Sequence, residues 1–100
     1  MQIEKNTTDD GTLTLKVTGR LDTNTSPDLE VALALDGVKK IVFDFSGLEY
    51  ISSAGLRVLM TAQKAMSSSG GGMSVRNPNE TVKGVFDITG MSGVFNIVQG

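Results

Sequence analysis

The side chains of this sequence that could do chemistry fall into three groups: Asp22, Asp44 and the serine pair Ser52-Ser53. The chain has no histidine and no cysteine, which removes the usual zinc ligands, thiol nucleophiles and imidazole bases. Asp22 and Asp44 could in principle work as paired carboxylates, but no second kind of acid–base group accompanies them. We therefore expect a binding protein rather than an enzyme, with no metal and no cofactor.

The serine pair belongs to the segment Ser52-Ser53-Ala54-Gly55-Leu56, which follows an apolar strand and opens a predicted helix. Open α/β sheets place their binding sites beyond the carboxyl ends of the strands, which is where this pair falls. The free amides of a helix start favour an anion, and a phosphate on Ser53 would bring about −1.5 to −2 charges there. A purely structural role competes with this one, because serine commonly caps helices and Ala-Gly permits tight packing. The residues alone favour the structural role.

The two aspartates also have structural explanations. Asp22 lies just after an alternating strand and could serve only to cap the loop that follows. Asp44 lies within the apolar run 41–45, where a carboxylate without hydrogen-bond donors costs on the order of several kcal/mol. We expect loop amides to supply those donors, so a structural role is favoured for Asp44. The glycine run 70–72 is not a phosphate loop, since no Gly-Lys-Ser/Thr follows it and a strand comes next.

Composition limits the class of protein further. One hundred residues correspond to a single domain over 1–100, and 39% hydrophobic with 20% charged residues is typical of a globular chain. A net charge of −2 without a basic stripe predicts no nucleic-acid partner. No signal core and no run of about 20 apolar residues occurs, so we expect no membrane partner. The lack of cysteine fits a reducing compartment, and we expect the cytoplasm.

Hydrophobic spacing predicts the strands that must position these residues. Apolar and polar residues alternate over 12–18, and the turn at 9–11 pairs a strand over 12–19 with a first strand over 2–8. The apolar run 41–45 predicts a central strand. A short strand at 73–76 follows a helix, and the β-α-β order predicts a right-handed crossover between parallel strands.

Helices are predicted between these strands from capping residues and apolar stripes. Their predicted bounds are Ser26 (cap) with Pro27 to Asp36-Gly37, then about Ser53 to Met66 after a loop at 46–51, then Asn77 (cap) with Pro78 and Glu80 to Gly90. A flexible link is expected at 67–72. Residues 94–98 form either a closing strand or a short packing helix. The order β-β-α-β-α-β-α-β predicts an α/β fold with a mixed sheet and helices packed against it.

Four stretches of the sequence together resemble the STAS domain of bacterial anti-sigma factor antagonists. They are Gly19-Arg20-Leu21-Asp22, Pro27-Asp28-Leu29, Ile41-Val42-Phe43-Asp44-Phe45-Ser46-Gly47-Leu48 and Tyr50-Ile51-Ser52-Ser53-Ala54-Gly55-Leu56-Arg57-Val58-Leu59. The likeness covers nearly the whole chain, and its most specific part runs from Val42 to Leu59.

The resemblance implies a partner switch. An unphosphorylated domain of this family binds an anti-sigma factor that is a serine kinase; phosphorylation of the domain releases it, and a metal-dependent serine phosphatase resets it. Aligning on Gly55-Leu56 puts the phosphate acceptor at Ser53, with Ser52 where relatives often have aspartate. Ser52 is therefore a rival acceptor. The partner-facing residues implied by the resemblance are Asp22, Thr23, Ser52, Ser53, Gly55 and Leu56.

Two other functions stay open at this point. A STAS subunit of a transporter or a larger sensory complex would bind partners without ever being phosphorylated. A nucleotide-binding or hydrolytic activity of the domain itself is the third possibility, and the sequence contains no phosphate loop to support it.

Overall fold

The computed structural model describes all residues from 1 to 100 and confirms the predicted element order. Its strands are β1 (Gln2–Thr7), β2 (Thr12–Leu21), β3 (Lys40–Ile51), β4 (Gly72–Arg76) and β5 (Asn96–Val98). Its helices are α1 (Ser26–Ala32), α2 (Ser53–Ser68) and α3 (Glu80–Thr89), and a 3₁₀ turn at Met91–Gly93 precedes β5.

The five strands form one mixed sheet in the order β1-β2-β3-β4-β5. The β1–β2 hairpin is antiparallel, and the remaining neighbours are parallel, as the β-α-β pattern predicts. Each crossover from β2 onward adds the next strand on the same side of the preceding one. Because such crossovers are right-handed, the three helices lie on one face of the sheet. Their apolar stripes and the inward residues of the strands form a single cluster of 20 buried residues.

Strand alternation separates the two faces of the sheet. Leu15 pairs with Phe43 on the helix-covered face, and both are fully buried. The next residues along each strand, Lys16 and Asp44, pair on the opposite face together with Arg76. This second face is largely polar, so the period of two places Asp44 outside the core.

Strand β3 is longer than the sequence predicts, because the expected loop at 46–51 is part of it. The register with β2 shifts twice, and each shift adds one residue to β3. Such bulges break the alternation that marks a strand, which is why the sequence pattern stops at Phe45. Beyond the first bulge, Leu48 and Ile51 are again buried in the core.

Helix α1 differs from its predicted bounds at both ends. Thr25 occupies the N-cap position, while Ser26 lies inside the helix and is buried. The helix ends at Ala32, and Gly37 serves a later turn in which the Val38 amide donates to the Leu35 carbonyl. Gly37 has a φ of 73°, so this glycine does mark a turn, but the turn comes after the end of α1.

The predicted flexible link at 67–72 is instead the end of α2 and a tight turn. The helix continues to Ser68, and the Gly71 amide donates to the Met66 carbonyl at 2.7 Å. A Cβ on Gly71 would lie 2.4 Å from the Lys39 carbonyl oxygen. The glycine therefore permits a close backbone approach rather than flexibility.

The start of α3 lies two residues later than predicted. Asn79, not Asn77, is the N-cap, and its side-chain oxygen accepts the Val82 amide at 2.8 Å. Asn77 adopts a left-handed φ of 54° and connects β4 to the helix. At the C-terminus, residues 96–98 form the closing strand, so the alternative of a short helix over 94–98 is wrong.

Candidate partner-binding site

The carboxyl ends of β2 and β3 lie side by side and bring the predicted site residues together. Leu21 pairs with Ile51, and the Ser52 amide donates to the Leu21 carbonyl at 2.8 Å. The loop that begins with Asp22 and Thr23 therefore lies beside the start of α2. This adjacency follows from parallel pairing, because the carboxyl ends of parallel strands meet at one edge of the sheet.

The two serines of the pair have different environments. Ser52 is the N-cap of α2, half-buried, and its hydroxyl accepts the Gly55 amide at 3.3 Å. Ser53 is the first helical residue, and its hydroxyl is exposed and makes no hydrogen bond within the protein. The amides of Ser53 and Ala54 also have no acceptor in the protein, as expected for the first turn of a helix.

Gly55 and Leu56 are buried beneath the serine pair. A Cβ on Gly55 would lie 2.6 Å from Cγ of Leu21 and 3.0 Å from its carbonyl oxygen. Only glycine lets the first turn of α2 approach the end of β2 this closely. Leu56 is 5% exposed and packs in the core. These two residues thus position the helix start, and neither offers a side chain to a partner.

The carboxylate of Asp22 caps its own loop, in agreement with the structural explanation of this residue. It accepts the amides of Thr25 at 3.1 Å and Asn24 at 3.0 Å. The Thr25 amide is the largest cause that lowers the pKa of Asp22 below 3.8, and Arg20 adds a smaller attraction. Thr23, at the tip of this loop, is exposed. The loop therefore presents a fixed, ionised carboxylate beside the serine pair.

Asp44 lies far from this edge and does not pair with Asp22. It is level with Lys16 on β2, six residues before Asp22, which corresponds to about 20 Å along the strand. Partial burial raises the pKa of Asp44, but the Ser46 amide and hydroxyl, Arg76 and Lys16 outweigh it, and the net direction is down. The Ser46 amide donates to its carboxylate at 3.0 Å at the β3 bulge, so the donor lies within the strand and not in a loop as expected.

A groove of about 290 Å³ adjoins the serine pair between α1 and α2. Ala54 and Arg57 line its α2 side, and Glu30 and Leu33 line its α1 side. Sequence reasoning assigned no role to Arg57, although its spacing of four residues from Ser53 puts both on one face of a helix. Arg20 precedes the buried Leu21 on β2, so it lies on the sheet face opposite the helices, where its guanidinium is 4.5 Å from the centre of the Tyr50 ring.

The structure was also searched for metal-binding clusters and for membrane-spanning helices. No three of its histidine, cysteine, aspartate or glutamate residues cluster so that they could hold a metal ion. None of its helices combines the length and the apolar character needed to cross a bilayer.

Comparisons with known proteins agree on one family. A family model described as "Mlab, STAS domain" matches residues 5–99. The chain is 32% identical over 93 residues to a Bordetella bronchiseptica protein assigned as the anti-sigma factor antagonist BtrV, with 90% of this chain and 80% of that protein covered.

Solved structures of similar fold include a Thermotoga maritima protein assigned as an anti-sigma factor antagonist. It has a TM-score of 0.90 and 25% identity, with 98% of this chain and 86% of that one covered. The Bacillus anti-sigma factor antagonist SpoIIAA matches in its unphosphorylated form with a TM-score of 0.87 and 17% identity, covering 99% and 88% of the two chains. Its phosphorylated form matches with a TM-score of 0.81 and 16% identity, covering 99% and 91%. At these identities the likeness to SpoIIAA shows a common fold.

Proposed function

The chain belongs to the STAS domain family, and we propose that it is an anti-sigma factor antagonist regulated by phosphorylation of Ser53. In the unphosphorylated state it binds an anti-sigma factor that is itself a serine kinase, and the sigma factor is released. Phosphorylation of Ser53 ends that complex, and a metal-dependent serine phosphatase restores the binding form. The names of the relatives support the antagonist function, and the exposed Ser53 hydroxyl is the observation that carries the phosphorylation step.

Ser53 is favoured over Ser52 as the acceptor because the two hydroxyls differ in accessibility. The Ser53 hydroxyl is exposed and makes no hydrogen bond within the protein, so a kinase can approach it without unwinding the helix. The Ser52 hydroxyl is half-buried and caps α2, so its modification would remove a helix cap worth about 1 kcal/mol. In the reaction, Ser53 Oγ bonds to the γ-phosphorus of ATP, the bond to ADP breaks, and the hydroxyl proton passes to a base of the kinase.

The consequence of that modification is electrostatic. A phosphate adds about −1.5 to −2 charges to a surface that would be covered in the complex. Burying a charge without a partner in an interface costs on the order of several kcal/mol, and each 1.4 kcal/mol is about a tenfold loss of affinity. One phosphate can therefore dissociate the complex without any change of fold.

The remaining predicted site residues divide by exposure. Asp22 and Thr23, with Ser53, form the accessible part of the proposed partner surface. Gly55 and Leu56 are buried and support this surface indirectly, because they fix the position of the first turn of α2. The proposal requires no catalytic residue in this chain, because the partner kinase supplies ATP and the general base. We expect residues 1–100 to act as one STAS domain in the cytoplasm, where the sigma factor would be released.

The decisive experiment combines phosphorylation with binding. The purified chain is incubated with ATP and the serine-kinase anti-sigma factor from the same genome, and the modified residue is identified by mass spectrometry. We expect one phosphate on Ser53, none on Ser53→Ala, and full modification of Ser52→Ala. Phosphate on Ser52 alone would transfer the role to the rival acceptor.

A binding assay separates the proposal from the alternative of an unphosphorylated STAS subunit. Ser53→Ala should bind the kinase like the parent, whereas Ser53→Asp should bind at least tenfold more weakly, because it places a carboxylate in the interface. If the parent is never modified and both variants bind a partner equally well, the domain belongs to the unphosphorylated class.

A further inference from the structure

Arg57 is an exposed cation of the α2 surface that has no anionic partner in the protein. The structure contains one ion pair, between Lys83 and Glu80 at 3.0 Å, and Arg57 is not part of it. Glu30 lines the same groove from α1 without pairing with Arg57. The guanidinium is therefore free to bind an anion that arrives nearby.

The position of Arg57 on the helix directs it toward Ser53. The two residues are four apart in α2, so they lie on one face with a rise of about 6 Å between them. Side chains on a helix tilt toward its N-terminus, which turns a long arginine at position 57 back over the first turn. An acidic group placed four residues before a basic one is the favourable order for such a pair.

Other cations are less well placed for the same task. The Arg20 guanidinium lies over the Tyr50 ring, and because Arg20 precedes the buried Leu21 on β2, strand alternation places it on the sheet face opposite the helices. Lys64 is on α2 as well, but 11 residues beyond Ser53, which is about 16 Å along the helix axis. That separation exceeds the Debye length of about 8 Å at physiological salt.

We propose that Arg57 is the binding residue for a phosphate on Ser53, forming an ion pair across one turn of α2. This inference rests on the proposed function, which supplies the phosphate on Ser53. It adds which residue of the chain binds that phosphate. It also means that one modification changes two features of the partner surface: an anion appears, and a free arginine is withdrawn from the groove. The guanidinium suits this ligand because its planar donors match phosphate oxygens.

The test uses the full chain with phosphoserine incorporated at position 53 during translation, so it needs no kinase. Phosphorus-31 NMR then measures the second pKa of that phosphate in the parent, in Arg57→Gln, in Arg57→Lys and in Lys64→Gln. A nearby cation stabilises the dianion and lowers this pKa, so Arg57→Gln should raise it by about 0.3 units at about 0.15 M salt, where the Debye length is about 8 Å. Arg57→Lys should restore part of the effect, and Lys64→Gln, the matched loss of one charge on the same helix, should leave the value unchanged.

The outcomes distinguish this inference from the proposed function. Equal phosphate pKa values in the parent and Arg57→Gln, or an equal shift in Lys64→Gln, would overturn the role of Arg57. Either result would leave phosphorylation by the kinase intact, since that is measured separately on the unmodified chain. A shift that disappears at about 1 M salt would support the ion pair, because screening removes exposed pairs first.

Discussion

The close contact between Gly55 and Leu21 predicts that Gly55→Ala destabilises the protein even though alanine favours helices. The new Cβ would lie 2.6 Å from Cγ of Leu21 and 3.0 Å from its carbonyl oxygen. Leu21 is fully buried, and its carbonyl accepts the Ser52 amide, so neither atom can move without disturbing the core or the helix start. Overpacking of this kind costs about 1–3 kcal/mol.

The expected net effect includes the helix preference of alanine, which offsets up to about 1 kcal/mol relative to glycine. With the full offset, we expect Gly55→Ala to lower the free energy of unfolding by up to about 2 kcal/mol. Gly84→Ala is the matched control, because Gly84 lies within α3 and a Cβ there would meet no atom within 4 Å. That variant should be more stable than the parent by about 0.5–1 kcal/mol.

Urea unfolding followed by circular dichroism measures both free energies under the same conditions. The difference between the two variants isolates the contact with Leu21, since the change of side chain is identical. If Gly55→Ala is stabilised as much as Gly84→Ala, the first turn of α2 has room for a side chain. In that case the idea that Gly55 fixes the position of the serine pair is refuted.

Two further predictions concern the caps of the same site. Ser52→Ala should lower the free energy of unfolding by about 1 kcal/mol, because the Gly55 amide loses its acceptor, while Ser53→Ala should change it by less than about 0.5 kcal/mol. Equal losses in urea unfolding would contradict the assignment of Ser52 as the cap. For Asp22, hydrogen bonds hold the folded pKa below 3.8, so its stabilisation is complete above about pH 4 and is lost as the pH falls through the lower folded pKa. The urea midpoints of the parent and Asp22→Asn should therefore differ most near pH 6 and draw together as the pH falls below about 4, and a gap that is constant with pH would argue against an ionised cap.

Local physics predicted most of the fold. The alternation over 12–18 predicted which side of β2 faces the core, and the apolar run 41–45 marked the central strand, because burial requires those patterns. The β-α-β order predicted parallel pairing, since such crossovers have one hand. These features depend on neighbouring residues only, so they can be read without the tertiary structure.

The misplaced boundaries share one physical cause. Asn77 and Asn79 are both good caps, but the Asn77 amide donates to the carbonyl of Val98, the last residue of β5, at 2.8 Å, and Asn79 caps the helix. The continuation of β3 through Ser46 depends on bulges that match its length to β2. In each case the local sequence is compatible with more than one boundary, and the observed boundary is the one that the strand pairing requires.

At the functional site too, the sequence predicted part of the arrangement of the serine pair and the tertiary structure decided the rest. By itself, the sequence placed two hydroxyls at the start of a helix beyond a central strand, and the resemblance aligned Ser53 with the acceptor. Only the tertiary structure separated them, because the Leu21–Ser52 hydrogen bond sets the helix start and leaves Ser52 as the cap and Ser53 exposed. The adjacency of the Asp22 loop has the same origin. A sequence determines which groups exist and their local spacing, but strand pairing decides which of them share one surface.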